Sequence, residues 1–385
     1  MAWLTLAVAL CVTGCDTVSY YRQAVAGQYE IISKREPIPV VIARSNTAPA
    51  LRQQLQLVLE LRTFAARELK LEIDGNYEKY ADLGRRFVVW NVYAAPEFSL
   101  DPKQWWYPIV GSLDYRGFFA EQKARDQGAR LAKAGFDVYV GGVDAYSTLG
   151  WFKDPVLNTF VHHAPADLAE TLFHELAHQR VFASGDTDFN EAFATCVGEE
   201  GVRRWLATHG DAKARGEYDL DVQRKEQFVA IVMKAREELE RIYEAESSPA
   251  PRRSQASEAL VLDKRTRKSD ALARLRVEYE KLKAGWGGYT GYDNWFNRPL
   301  NNAHLNTVAT YQHLVPAFQQ LLVRGDGDLE KFYTSAKSMT RLGKEDRHRQ
   351  LTALVAQSNR ETVEDATENP GRGHSETSAM PASLR

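Results

Sequence analysis

His174-Glu175-Leu176-Ala177-His178, followed after a short polar run by Asn190-Glu191-Ala192-Phe193-Ala194, decides how this chain is read. Residues four apart on an α-helix lie one above the other on the same face. Two imidazoles so placed can hold one metal ion, Zn²⁺ first among them, and Glu175 beside the first can act as a general base. The surroundings are helical: Pro165 suits a first turn, and Asp167 and Glu170 favour the positive end of the helix. Leu168, Ala169, Leu172, Phe173 and Leu176 form an apolar stripe from which both histidines point away. One side would grip a core while the other faces a cleft. The bland alternative is a surface helix with two ordinary histidines.

A catalytic zinc keeps three protein ligands and one open position. A third histidine six residues on is absent, since that position is Ser184, so a carboxylate is expected. Ser184-Gly185-Asp186-Thr187-Asp188 is a turn-forming run, and the helix after it can fold back to bring Glu191 to the histidines. Two rivals stand beside that reading. Asp188 and Glu191 also fit a helix-start capping pattern, and Glu199 or Glu200 lie about two turns further along.

The H-E-x-x-H and N-E-x-x-A pair resembles the glutamate-type zinc peptidases, especially aminopeptidases related to alanyl aminopeptidase and leukotriene A4 hydrolase. That resemblance implies Glu191 as third ligand. The spacer of 12 residues between His178 and Glu191 is shorter than in those enzymes, and their G-x-M-E-N segment is missing. A closer resemblance is to a bacterial lipoprotein family of predicted aminopeptidases. It runs through Tyr21-Arg22-Gln23-Ala24-Val25-Ala26-Gly27-Gln28, Asp114-Tyr115-Arg116-Gly117-Phe118-Phe119, the two helices above and Leu300-Asn301-Asn302-Ala303. By fold analogy it implies a predominantly helical α+β, gluzincin-like protein with a small sheet beside the active-site helix.

Leu4 to Val12 is an apolar run too short to span a bilayer. Val12-Thr13-Gly14-Cys15 follows it and resembles a lipobox, which makes residues 1–14 a signal peptide and Cys15 the lipidated mature N-terminus. The expected location is the periplasmic side of a bacterial envelope, at the inner membrane if Asp16 acts as a retention signal. The alternatives are an ordinary secretory leader or a buried apolar start. Of the three cysteines only Cys196 then remains, so no disulfide framework forms, and Cys196 reads as a small core residue. Net charge is −2 with both signs interspersed, which gives no sign of a nucleic-acid groove.

Residues 15–356 are read as one peptidase domain and the polar stretch 357–385 as a disordered tail. Within the domain, Ala48 to Leu71 reads as a helix, and Phe87 to Tyr93 and Asp137 to Val143 as strands. Residues 222–284 read as a helical hairpin insertion, with helices from Val222 to Glu244 and from Ser269 to Ala284 and a break at Ser247 to Pro251. Asn301 to Leu322 reads as one further helix. Gly141 to Thr148, with Gly141, Gly142 and Tyr146, is the candidate strand for holding peptide backbone by β-augmentation, although core packing explains the same pattern. The reaction expected is hydrolysis of a peptide bond at one Zn²⁺, with Glu175 moving protons and a further donor stabilising the oxyanion. Tyr289, Tyr292, His304 and Tyr311 are candidates, with Tyr311 preferred. Whether the substrate is cut at its free amino end or internally rests on the resemblance. A zinc endopeptidase and a non-catalytic lipoprotein with a structural zinc remain as alternatives.

Overall fold

The computed structural model describes the backbone of residues 2–107, 111–145, 148, 152–244 and 255–368, with side chains there except at 2–16, 255–257, 311 and 358–368. It is a predominantly helical α+β protein with small sheets. The chain opens with α1 (Ala2–Ser33), β1 (Glu36–Pro37), α2 (Ile38–Ala43) and α3 (Pro49–Arg67). Pro49 starts α3 at a position where its missing N–H is harmless. Its buried side chains Leu55, Val58, Leu61, Phe64 and Ala65 recur at helical spacing against the main core.

Next come β2 (Lys79–Ala81), β3 (Val89–Pro96), β4 (Trp105–Tyr107), β5 (Gly111–Leu113), β6 (Tyr115–Phe118), α4 (Glu121–Lys133), β7 (Phe136–Val143) and β8 (Val156–Leu157). The sheet that matters for the site has the order β6-β3-β7, all antiparallel, with Tyr93 opposite both Tyr115 and Tyr139. Its other face is covered by α4 through Val92, Ala94, Phe118, Ala124 and Leu131.

Then follow α5 (Pro165–Arg180) and α6 (Thr187–His209), a helical hairpin buried along much of its length. Glycines let these two helices close on each other. A Cβ at Gly198 would meet the Glu170 carbonyl at 3.2 Å, and one at Gly201 would meet the Phe173 ring at 2.6 Å. The remaining helices are α7 (Ala212–Glu244), α8 (Gln255–Gly285), α9 (Asp293–Phe296), α10 (Asn302–Gln312), α11 (Val315–Arg324), α12 (Leu329–Met339) and α13 (Lys344–Glu368). A second core joins α7, α8, α9 and α10 around Phe228, Val232, Tyr279, Phe296 and Leu305.

Three differences from the sequence reading have plain causes. The helix expected over Asn301 to Leu322 breaks at His313 and Leu314, because Pro316 cannot donate in a helix interior and instead occupies the first turn of α11. The hairpin helices are longer than read, starting at Ala212 and Gln255, because charged residues continue a helix once one face is packed. The last helix runs to Glu368, past the expected start of the tail, and residues 369–385 lie outside the described residues. Among the described residues, no helix is long and apolar enough to cross a membrane.

Candidate active site

Helix α5 places His174 and His178 one turn apart, with ring centroids 4.9 Å apart and planes at 85°. The turn after it is held by Asn190, whose side chain accepts from the Ala183 N–H (2.7 Å) and donates to the Ala183 carbonyl (2.9 Å). This two-point clamp fixes how α6 leaves the turn. Glu191, the next residue, then reaches His174 Nε2 at 3.3 Å and His178 Nε2 at 3.8 Å. One ligand atom from each of the three side chains lies within 4.8 Å of the other two, a set that can hold a metal ion. Two imidazoles and one carboxylate are the donors a catalytic zinc takes.

The rivals for the third position are engaged elsewhere. Asp186, not Asp188, caps α6 by accepting from the Phe189 N–H, which corrects the capping alternative for Glu191. Glu199 binds Lys225 at 2.7 Å and Glu200 binds Arg204 at 2.7 Å. Cys196 is 2% exposed and packs in the main core.

Charge in this cluster is set by burial and by mutual attraction. Burial disfavours a charged His178 and brings its pKa down to about 4. Burial also works against charge on His174, but the Glu191 carboxylate bonded to it raises its pKa overall. Glu191 is correspondingly lowered, since the two imidazoles outweigh its burial. Glu175 differs. Burial, and then the neighbouring Glu191 and Asp154 carboxylates, push it up to about 7 against the pull of His174. Its Oε2 is buried with no protein hydrogen-bond partner. A carboxyl group left so costs about 1–3 kcal/mol, and such groups cluster at sites of chemistry.

All four residues line a cavity of about 1070 Å³. The β6-β3-β7 sheet forms one wall through Asn91, Tyr115, Gly117 and Val143, while α7 contributes Tyr218 and Lys225 and the aromatic loop after α8 contributes Tyr289 and Tyr292. Lys225 ties the wall together, reaching Glu170 on α5 (3.1 Å) and Glu199 on α6 (2.7 Å), while Tyr218 donates to Glu170 (2.9 Å).

The structure separates the expected donors. Tyr289 and Tyr292 line the cavity. His304 does not: it is fully buried beside the second core, stacked on Tyr139 at 4.2 Å and against Trp295 at 4.2 Å. Tyr311 lies on α10, and its side chain is outside the described residues. Gly141 and Gly142 sit within β7 but do not line the cavity. The segment meets it from the next residue on, through Val143, Asp144, Ala145 and Thr148, while Tyr146 lies outside the described residues. The expected open edge is also partly covered, since Asn301 and Arg298 donate to the Val138 and Val140 carbonyls.

Tyr115 was missed as a site residue. It lines the cavity, and burial first, then the charges of Glu191 and Glu175, push its pKa well above that of a free phenol, so it stays protonated. Its only signal in the sequence was its place in Asp114-Tyr115-Arg116-Gly117.

The fold and site together define a helical protein with a histidine–carboxylate cluster at the wall of a deep cavity. The chain belongs to the family described as "Putative aminopeptidase", which matches residues 19–351. That membership makes it a peptidase in general terms. No curated protein and no solved structure matches it.

Proposed function

We propose that this protein is a zinc metallopeptidase of the glutamate type, releasing residues from the free amino end of peptides. The observation that carries this reading is the convergence of His174, His178 and Glu191 beside a buried Glu175 whose Oε2 has no protein partner. In this reading His174, His178 and Glu191 hold one Zn²⁺, which when bound supplies the Lewis acidity that polarises a carbonyl and acidifies a water. Glu175 is suited to both halves of proton transfer, because a carboxyl with a pKa near 7 gives and takes a proton at neutral pH with little driving force wasted. Tyr115 donates to the oxygen that becomes negative as the tetrahedral intermediate forms. The aromatic wall of Tyr218, Tyr289 and Tyr292 receives substrate side chains.

A second reading, a zinc endopeptidase, is favoured by one feature. Glu170, one turn before His174, is the carboxylate next along α5 to the cluster, and Lys225 and Tyr218 already bind it. An amine anchor would then fall to Asp144, Asp167 or Asp221 on the cavity wall. Assay of the purified protein on matched free and N-acetylated peptides separates the readings. Cleavage of free peptides alone supports the first, cleavage of both the second, and cleavage of neither, with metal present, sinks both.

We also propose that an acyl chain on Cys15 tethers the protein to the periplasmic side of a bacterial envelope, at the inner membrane where Asp16 is read as a retention signal. The support is the sequence Val12-Thr13-Gly14-Cys15 after an apolar run. Incorporation of labelled fatty acid that survives Cys15→Ser would overturn it.

A further inference from the structure

The described part of α1 has two unlike faces. One is bound to the body of the protein. Gln23 accepts from the Phe119 N–H (2.9 Å), Tyr20 packs edge-on against Phe118 (5.5 Å), and Ile31 is 2% exposed. Gly27 lies so close to the Phe119 ring that a Cβ would sit 2.0 Å from it. The opposite face is apolar and bare. Val18 is 68% exposed, Tyr21 41%, Val25 69% and Tyr29 70%. Their spacing of three, four and four residues puts them in one stripe along the helix. From Thr17 to Tyr29 there is no acidic residue, and the one charge is Arg22. The β4–β5 hairpin reaches α1 through a hydrogen bond between Tyr20 and Tyr107 (3.3 Å), and it carries Trp106, 70% exposed.

We propose that this stripe of α1 lies in the headgroup layer of a lipid bilayer, so that the helix fixes how the cavity faces the membrane. Lipid is the occupant that fits. The stripe continues along the same helix toward Cys15, the residue proposed to carry the acyl chain. Tyrosine and tryptophan favour the membrane–water interface, and an arginine with no acidic neighbour favours anionic headgroups. A second protein copy fits poorly, because four side chains on one helix fall short of the roughly 800 Å² per partner that a stable interface buries. The consequence is directional. Tyr21, Ala24 and Gln28 also line the cavity, so its α1 side sits beside the bilayer surface. An acyl chain alone would leave the body free to swing; the bound helix holds it. This rests on the tether proposed above and is independent of the peptidase reading.

The test uses the full chain, isolated from membranes and reconstituted in phosphatidylethanolamine–phosphatidylglycerol vesicles. Val25→Cys is labelled with a polarity-sensitive fluorophore, and Lys337→Cys, exposed on α12, serves as the reference. A blue shift and several-fold protection from an aqueous quencher at position 25 alone, seen only with vesicles, is the expected result. Equal quenching at both positions overturns the proposal. So does protection that appears without vesicles and grows with protein concentration, which would assign the face to a second copy. Extra labelling at Cys15 would show the tether to be wrong. In that event protection at position 25 still supports the docked helix, and its absence overturns it.

Discussion

Among the described residues, two clusters contain histidine and carboxylate groups close enough to share a metal ion: His174, His178 and Glu191, and Asp186, Asp188 and His348. Both draw carboxylates from the start of α6, yet their surroundings differ. Asp186 is enclosed by Arg347, which binds it directly, by His348 at 2.9 Å and by Lys344 at 3.9 Å, and it caps α6 as well. Permanent cations already occupy the place where an ion would sit. Among the described residues no lysine or arginine pairs with Glu191, and the His174 cluster opens on a cavity and keeps an unpartnered carboxyl oxygen beside it. Proximity of ligand types is therefore a weak criterion. What separates a metal site from an ion-pair knot is whether the positive charge is already supplied.

That contrast can be broken in several ways. The largest effect is expected at the ligands: His178→Ala or Glu191→Ala should abolish stoichiometric metal in elemental analysis, while Asp188→Asn leaves it unchanged. Metal retained by the first pair or lost in the third would reverse the assignment of the two clusters. Glu175→Gln should keep metal content and reduce kcat by about 10²–10⁴-fold. A rate within a factor of two of the parent would remove Glu175 from the chemistry.

At the other cluster, Asp186→Ala strips a buried partner from Arg347 and should cost about 3 kcal/mol of stability in denaturant titration. An unchanged midpoint there would mean that the ion-pair knot is not structural. Tyr115→Phe should lower kcat by about 10²-fold with KM little altered, as loss of one oxyanion donor does. A rise in KM alone would make Tyr115 a binding residue.

The smallest effect concerns pH. Burial, and then the neighbouring Asp114, raises Asp188 to about 6, above its unfolded value. Its contribution to stability is thus fully present below about pH 4 and is lost as pH rises through 6. After allowance for partial exposure, the loss is about 1–2 kcal/mol. Asp188→Asn should flatten the stability profile between pH 4 and 6, and a profile identical to the parent would contradict this origin.

Much of the site was legible because helical spacing is a local property. His174, Glu175 and His178 need only a helix to share a face, and Leu168, Leu172 and Leu176 say that a helix forms. The strands near Val89 and Val138 were legible for a similar reason, since alternation is also local. The helix break before Pro316 was readable in principle and was overridden by the apolar pattern around it. Other features carry no local signal. Asp186 and Asp188 are equally good caps on paper, and only the path of the turn chose between them. The contact of β7 with the cavity is set by how the strand pairs with β3, which places Val143 rather than Gly141 at its wall. Tyr115 shares the cavity with the two carboxylates across a sheet-to-helix interface, over a long separation in the chain.

From the residues alone came the metal-binding spacing, the helix that carries it and a short list of carboxylates to complete it. Those follow from the pitch of one helix, which any few residues determine. Tertiary structure set Glu191 beside the two histidines and gave Glu199 and Glu200 to Lys225 and Arg204. It also brought Tyr115 to the cavity and filled the second cluster with cations. Such choices depend on which distant charges and hydroxyls share a buried space, and packing alone decides that.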